Sequence, residues 1–294
     1  MNDSIKNFGG IKSSKDNRDF EPKHLGLGVP SSTPISWIQD ISTIPVYMQN
    51  QQPACGGHAG AIFYNILDNL GNNLSPRFVY ALCKKIDGLN GQSGTTGRAI
   101  MQVLQKYGVC TNDLFPNDTS LSEIEYADWT KISPEAYVDA LNRRIGAYAQ
   151  VNPYDFQTIK DAIYTNKIVL VLADIGREWW TDKNGNNSWT ASDIFPLRPP
   201  ESVVSGHFFV HYGFDKLYLY LRNSWSKLWG NNGNGYYGED YVPYIIEIWI
   251  AQLPTFPVPP STPIIQNEQG LQLLVSNTIQ WLTSVKQWLS NFKN

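Results

Sequence analysis

Between residues 166 and 168 the hydrophobic period of this 294-residue chain changes. Upstream, apolar residues recur at three- and four-residue steps. Ala59, Ile62, Phe63, Ile66 and Leu70 predict a helix over 56–70, closed by Gly71, Asn72 and Asn73. Ser75 ahead of Pro76 sets a cap residue before proline and starts a second helix. A third is predicted over 96–107 with Gly108 as its stop, and 134–150 and 155–165 read as helical too. Downstream, 168–172, 208–212, 217–222 and 244–251 are short β-rich runs divided by turn residues, with an Asn-, Gly- and Pro-rich loop over 180–200. Helices gathered in one half and strands in the other predict an α+β fold.

The ends of the chain read differently. Residues 1–33 are polar and glycine-containing and read as an N-terminal arm ahead of a domain over 34–253. Residues 254–270 form a Pro-rich spacer of the semi-rigid kind. Over 271–294, Leu271, Val275, Thr278, Leu282, Val285, Leu289 and Phe292 make one seam of an amphipathic helix, flanked by Leu274, Trp281 and Trp288. That helix has three readings: packing on its own domain, self-association as a short coiled coil, or docking on a partner or membrane surface.

Composition excludes several classes. Hydrophobic residues are 42% of the chain, enough for a core. A net charge of −3 supplies no basic field for phosphates, so nucleic acid is not an expected partner. The longest apolar runs are too short to cross a bilayer, and the N-terminus lacks the apolar core of a secretory signal. Three cysteines, an odd and sparse set, do not make a disulfide framework and predict a reducing compartment, cytoplasmic or virion-associated. Cys83 and Cys110 read as buried small hydrophobes, although a bond between them stays open.

Cys55 is different. It stands between the proline-containing turn at Pro53 and the start of a helix, where unpaired backbone N–H groups and the helix dipole favour a thiolate. Such a thiol needs a base, and the base needs an orienting group. His207 in SGHFFVHYGF opens a β-run, and Asn223 in LRNSWSKLWG stands sixteen residues later beside Trp225 and Trp229. Gln49, six residues before Cys55, carries an amide that can donate to an oxyanion alongside the Cys55 N–H. His207 and His211 are four apart, but on a β-run without a third ligand they do not predict a zinc site. No metal or cofactor is implied.

With these blocks on the page, the chain resembles the papain-like cysteine peptidases in their short-armed bacterial and viral form. KDNRDF is similar to the Asp-x-x-Asp arm of bacterial members, and IPVYMQNQQPAC to their segment around the nucleophile. LSPRFVY, QSGTTGRAIMQVLQKYGVC, LFPND and the His and Asn blocks follow in the same order. The resemblance implies a two-lobed fold, a helical lobe and a β-barrel-like lobe, with the cleft between them and a polypeptide as substrate. It implies Cys55 as nucleophile, paired with His207 as thiolate and imidazolium, and Asn223 as orienter of His207. Gln49 becomes the oxyanion donor. Trp225 is expected over the His–Asn bond and, with Trp229, on the leaving-group side, while Ser93 and Gly94 form the edge that binds substrate backbone. The arm is expected to wrap the β lobe and cover the cleft as a short prosegment. Departures stand at Asn50 and Ser226, where glycine is usual, at Gly56, usually aromatic, and at Gln52, often a half-cystine. Gly56, Asn50 and Ser226 favour a second reading, a weakly active or inactive interaction protein anchored by its C-terminal helix. A related thiol amidase is a third.

Overall fold

The computed structural model describes residues 8–16, 32–89, 91–153, 155–181, 195–254, 272, 275–283 and 286. The last four residues of KDNRDF, nearly all of the Pro-rich spacer and most of the C-terminal seam lie outside these. In chain order the elements are β1 (Gly10–Ile11), β2 (Trp37–Ile38), α1 (Cys55–Leu67), α2 (Pro76–Ile86), β3 (Thr95–Thr96), α3 (Gly97–Lys106), α4 (Glu123–Tyr126) and α5 (Pro134–Ala140). Then come β4 (Ala147–Val151), α6 (Phe156–Asn166), β5 (Val169–Ile175), β6 (Ser205–Phe214), β7 (Leu219–Arg222), β8 (Asn234–Tyr237) and β9 (Ile245–Gln252).

Helix α1 is the axis of the helical half. Residues 55–66 are buried on every side, so it is a core helix and not the one-faced helix its spacing predicts. Gly57 and Gly60 let α2 and α3 approach it, since a Cβ at Gly57 would stand 2.7 Å from Tyr80 Cβ and one at Gly60 2.8 Å from Ile100. Helix α2 begins as predicted, with Ser75 Oγ accepting the Phe78 N–H at 3.0 Å and proline in the first turn. The Thr96 side chain caps α3, and Gly108 ends that run with φ +79°.

Strand β6 is the hub of the sheet. It pairs antiparallel with β1, β2, β5 and β7, and β5 continues through β9 to β4. Its residues 207–214 are all buried, with α1 packed on one part of it and α6 on another. Residues 134–150 are not one helix: α5 ends at Ala140, and β4 pairs antiparallel with β9. Ala149 and Val151 are buried while Tyr148 and Gln150 are half-exposed, a two-residue period that follows from the neighbouring strand rather than from local propensity.

Residues 275–283 are helical. Asn277 is buried and Gln280 donates to Asn142 at 2.5 Å, so this helix rests on the body by a face other than its predicted seam, whose Val275 and Leu282 are exposed. Cys55, Cys83 and Cys110 are all free and buried. Among the described residues no helix is long and apolar enough to cross a membrane.

Candidate active site

Cys55 is the first residue of α1, and its Sγ accepts the backbone N–H of Phe208 at 3.4 Å. The β6 strand therefore delivers His207, one residue away, to the same place. The imidazole Nε2–H donates to Asn223 Oδ1 at 2.9 Å. Asn223 follows β7 directly, and its backbone N–H is fixed to Gly233 O at 2.9 Å. The pairing of β7 with β6 is what brings the two residues together. His207 Nδ1 is buried and has no hydrogen-bond partner among the described residues. The Trp225 ring lies 4.9 Å from the imidazole, tilted over it. Cys55, His207 and Asn223 are 0% exposed. Burial pushes the Cys55 thiol up to about 12 and pulls the His207 imidazole down to about 4.

Gln49 is also fully buried and joins two walls of the site. Its Nε2 donates to Gln52 O at 3.0 Å, and its Oε1 accepts from Ser224 Oγ at 2.7 Å. Asn50, next in sequence, has φ +50°, and Ser226 has φ +70°. Both positions keep the left-handed backbone that glycine adopts most easily, so the two substitutions leave the local path intact. Gly56 faces Thr95 Cγ2 and Ile100 Cδ1, which would stand 2.6 and 3.0 Å from a Cβ there. The space an aromatic side chain needs is already filled.

The N-terminal arm packs against these residues. Phe8 is 2% exposed, with its ring 4.8 Å from Trp225, 5.1 Å from Trp180 and 5.5 Å from His207. Its carbonyl oxygen accepts the Cys55 backbone N–H at 3.3 Å, and its own N–H donates to Ser205 Oγ at 3.2 Å. Gly9 O then takes the Thr95 N–H at 2.9 Å, and Gly10 pairs with Thr95 on one side and Gly206 on the other. The passage admits backbone only. A Cβ on Gly9 would collide with Pro53 O, one on Gly94 or Gly206 with the arm itself.

The edge that pairs with the arm is Thr95 and Thr96, which directly follow Ser93 and Gly94 in the chain. Ser93 Oγ donates to Glu123 at 2.8 Å, while Gly94 N–H goes to Tyr80 Oη at 3.1 Å and Gly94 O accepts Lys84 Nζ at 2.9 Å. Trp229 lies behind Trp225 at 5.8 Å, stacked on Trp179 and donating to Trp179 O at 2.7 Å. Sequence reasoning missed Phe8, Trp179 and Trp180. The adjacent Trp179 and Trp180, four and five residues after β5 ends at Ile175, were the available signal, since two neighbouring indoles need a shared pocket.

No family model and no curated protein matches the sequence. Solved structures do match in shape. Xylellain, a cysteine protease from Xylella fastidiosa, superposes with a TM-score of 0.69 at 22% identity, over 85% of this chain and 97% of that one. Digestive procathepsin L 3 of the Tenebrio molitor larval midgut gives 0.59 at 15%, over 76% and 71%. The bromelain protease of Ananas comosus, in complex with the E64 inhibitor, gives 0.54 at 17%, over 75% and 100%. These neighbours are papain-like cysteine proteases, and the chain described here has the papain-like α+β fold.

Proposed function

We propose that this chain is a cysteine endopeptidase held latent by its own N-terminal arm. The observation that carries the reading is the 2.9 Å bond from His207 Nε2 to Asn223 Oδ1 beside a thiol at a helix N-terminus. That bond puts the imidazole proton on Nε2 and leaves the Nδ1 lone pair to take the thiol proton. With the arm displaced, Cys55 Sγ attacks a peptide carbonyl while its proton passes to His207 Nδ1. The oxyanion takes the Cys55 N–H that Phe8 O now occupies, and the second N–H of Gln49 Nε2. The C–N bond breaks as His207 returns the proton to the leaving amine. Water then attacks the thioester, giving its proton to His207, and the acid leaves with the thiol regenerated. Ser93 and Gly94 shape the groove wall, and Trp225 with Trp229 behind it shields the His–Asn bond.

The test is labelling and turnover in the full-length chain. The epoxide E-64 is expected to modify Cys55 and neither Cys83 nor Cys110 once the arm is loosened, with hydrolysis of casein-derived peptides lost in Cys55→Ala and His207→Ala. Equal, slow labelling of all three cysteines favours the second reading, a papain-fold interaction protein.

A further inference from the structure

Two of the departures from the family pattern face one segment of chain. Gln52, where relatives often carry a half-cystine, is 5% exposed, and its Nε2 donates to Leu121 O at 2.6 Å and to Thr119 O at 3.4 Å. Beside it, Asn50 Nδ2 donates to Thr119 Oγ1 at 2.6 Å. The Gln52 amide has one workable orientation, since turning it over would set Oε1 against the same two carbonyl oxygens.

The segment that receives these bonds is itself fixed. Asn117 Nδ2 donates to His58 Nε2 at 3.2 Å, and Asn117 Oδ1 accepts the Tyr126 hydroxyl. Asp118 Oδ1 takes the Ser120 N–H at 3.0 Å, and Ser122 opens α4 with a capping box to Glu125. His58 stands three residues after Cys55 on α1, and Gln52 three residues before it. The bonds from His58 through Asn117 and its segment to Gln52 therefore close a ring that includes Cys55.

Gln49 hangs on the same residue. The Gln52 N–H donates to Gln49 O at 3.1 Å, and Gln52 O accepts Gln49 Nε2 at 3.0 Å, so the Gln49 amide sits where the backbone of Gln52 puts it. We propose that Gln52 is a positioning residue that aims the Gln49 amide at the oxyanion, holding residues 49–52 to 119–121 by hydrogen bonds from a position where relatives often place sulfur. A misplacement of about 1 Å at such a donor can cost ~10²-fold in rate. The proposal rests on the peptidase reading, because only an oxyanion makes use of that amide.

The experiment takes full-length chain carrying Gly9→Val, to unseat the arm, as its parent. Gln52→Met keeps the volume and removes the donor. Hydrolysis of a casein-derived peptide is expected to lose about tenfold to a hundredfold in kcat with KM within about twofold, the mark of a contact made in the transition state. In a Gln49→Ala background the same substitution is expected to change kcat by less than about threefold, since the amide it aims is gone. A merely damaged fold would lower kcat by the same factor in both backgrounds. If Gln52→Met does not fold, Gln52→Asn, whose amide stops one methylene short of Leu121 O, goes through the same cycle. Unchanged kcat, a loss in KM alone, or equal losses with and without Gln49 overturn the proposal. A parent that cleaves nothing refutes the peptidase and this role with it, whereas a parent that cleaves no faster than its Gln52→Met variant refutes Gln52 alone.

Discussion

The carbonyl oxygen of Phe8 accepts the backbone N–H of Cys55 at 3.3 Å, so the chain's own peptide occupies the donor proposed for the oxyanion. Around that bond Cys55, His207 and Asn223 are fully buried, which pushes the thiol pKa up and the imidazole pKa down. The arm's hold depends on glycine. Gly9 has φ +88°, and a side chain there would strike Pro53 O.

Gly9→Val is therefore expected to expel the arm and leave the body folded. The E-64 labelling rate of Cys55 should rise at least tenfold over the parent chain, with Cys83 and Cys110 still protected by burial. An unchanged Cys55 rate would show that the arm does not gate the thiol.

Gln49→Ala is expected to lower turnover of an arm-released chain by ~10²–10³, the loss typical of one oxyanion donor. It also leaves Gln52 O and Ser224 Oγ without their partner, at a cost on the order of 1–3 kcal/mol of stability. The sequence alone predicts damage to turnover more than to folding, whereas the buried strut geometry predicts both. Steady-state kinetics together with urea titration separate them, and intact kcat in a destabilised protein would make Gln49 purely structural.

Most of the site could be read from the chain, for identifiable reasons. Cys55, His207 and Asn223, which the fold brings together, could be picked out because the proposed roles of nucleophile, base and orienter need fixed residue types, whatever lies between them. Helices α2 and α3 were legible because Ser75 and Thr96 cap them within a few residues. β4 was not, because Ala147–Val151 becomes a strand only by pairing with β9, about a hundred residues away. The arm's path was equally hidden. Nothing local in NFGGIKS says that Phe8 fits an aromatic recess built from Trp180 and Trp225, or that Ser13 meets Glu247.

Gly56→Trp, which would restore the aromatic residue usual in relatives, is expected to fail as a gain of function. A Cβ at Gly56 already stands 2.6 Å from Thr95 Cγ2, so an indole overpacks α1 against β3 and α3 at a cost of ~1–3 kcal/mol or more. A lower urea midpoint without faster peptide hydrolysis is the expected result. A stable, faster variant would mean that the helix can shift to accept the ring.

Acid should unfold this protein through its buried imidazoles. His58 donates through Nδ1 to Ala54 O at 2.9 Å and faces Asn117 Nδ2 at 3.2 Å, and His211 lies between Tyr220 O and Tyr237 Oη at 3.0 and 2.6 Å. Desolvation pulls His58, His207 and His211 each from 6.5 down to about 4. Between those values the unfolded chain binds protons that the native chain refuses, so stability is full above pH 6.5 and is lost as pH falls toward 4. Each group contributes a slope of ~1.4 kcal/mol per pH unit, about 4 for the three together, against a total stability of about 5–15 kcal/mol. Thermal melts followed by circular dichroism should show Tm falling steeply below pH 6.5. His211→Gln should lower the starting stability and remove about a third of the slope. A Tm that stays level from pH 7 to 4.5 would mean that these imidazoles are charged, or reached by water, in the native state.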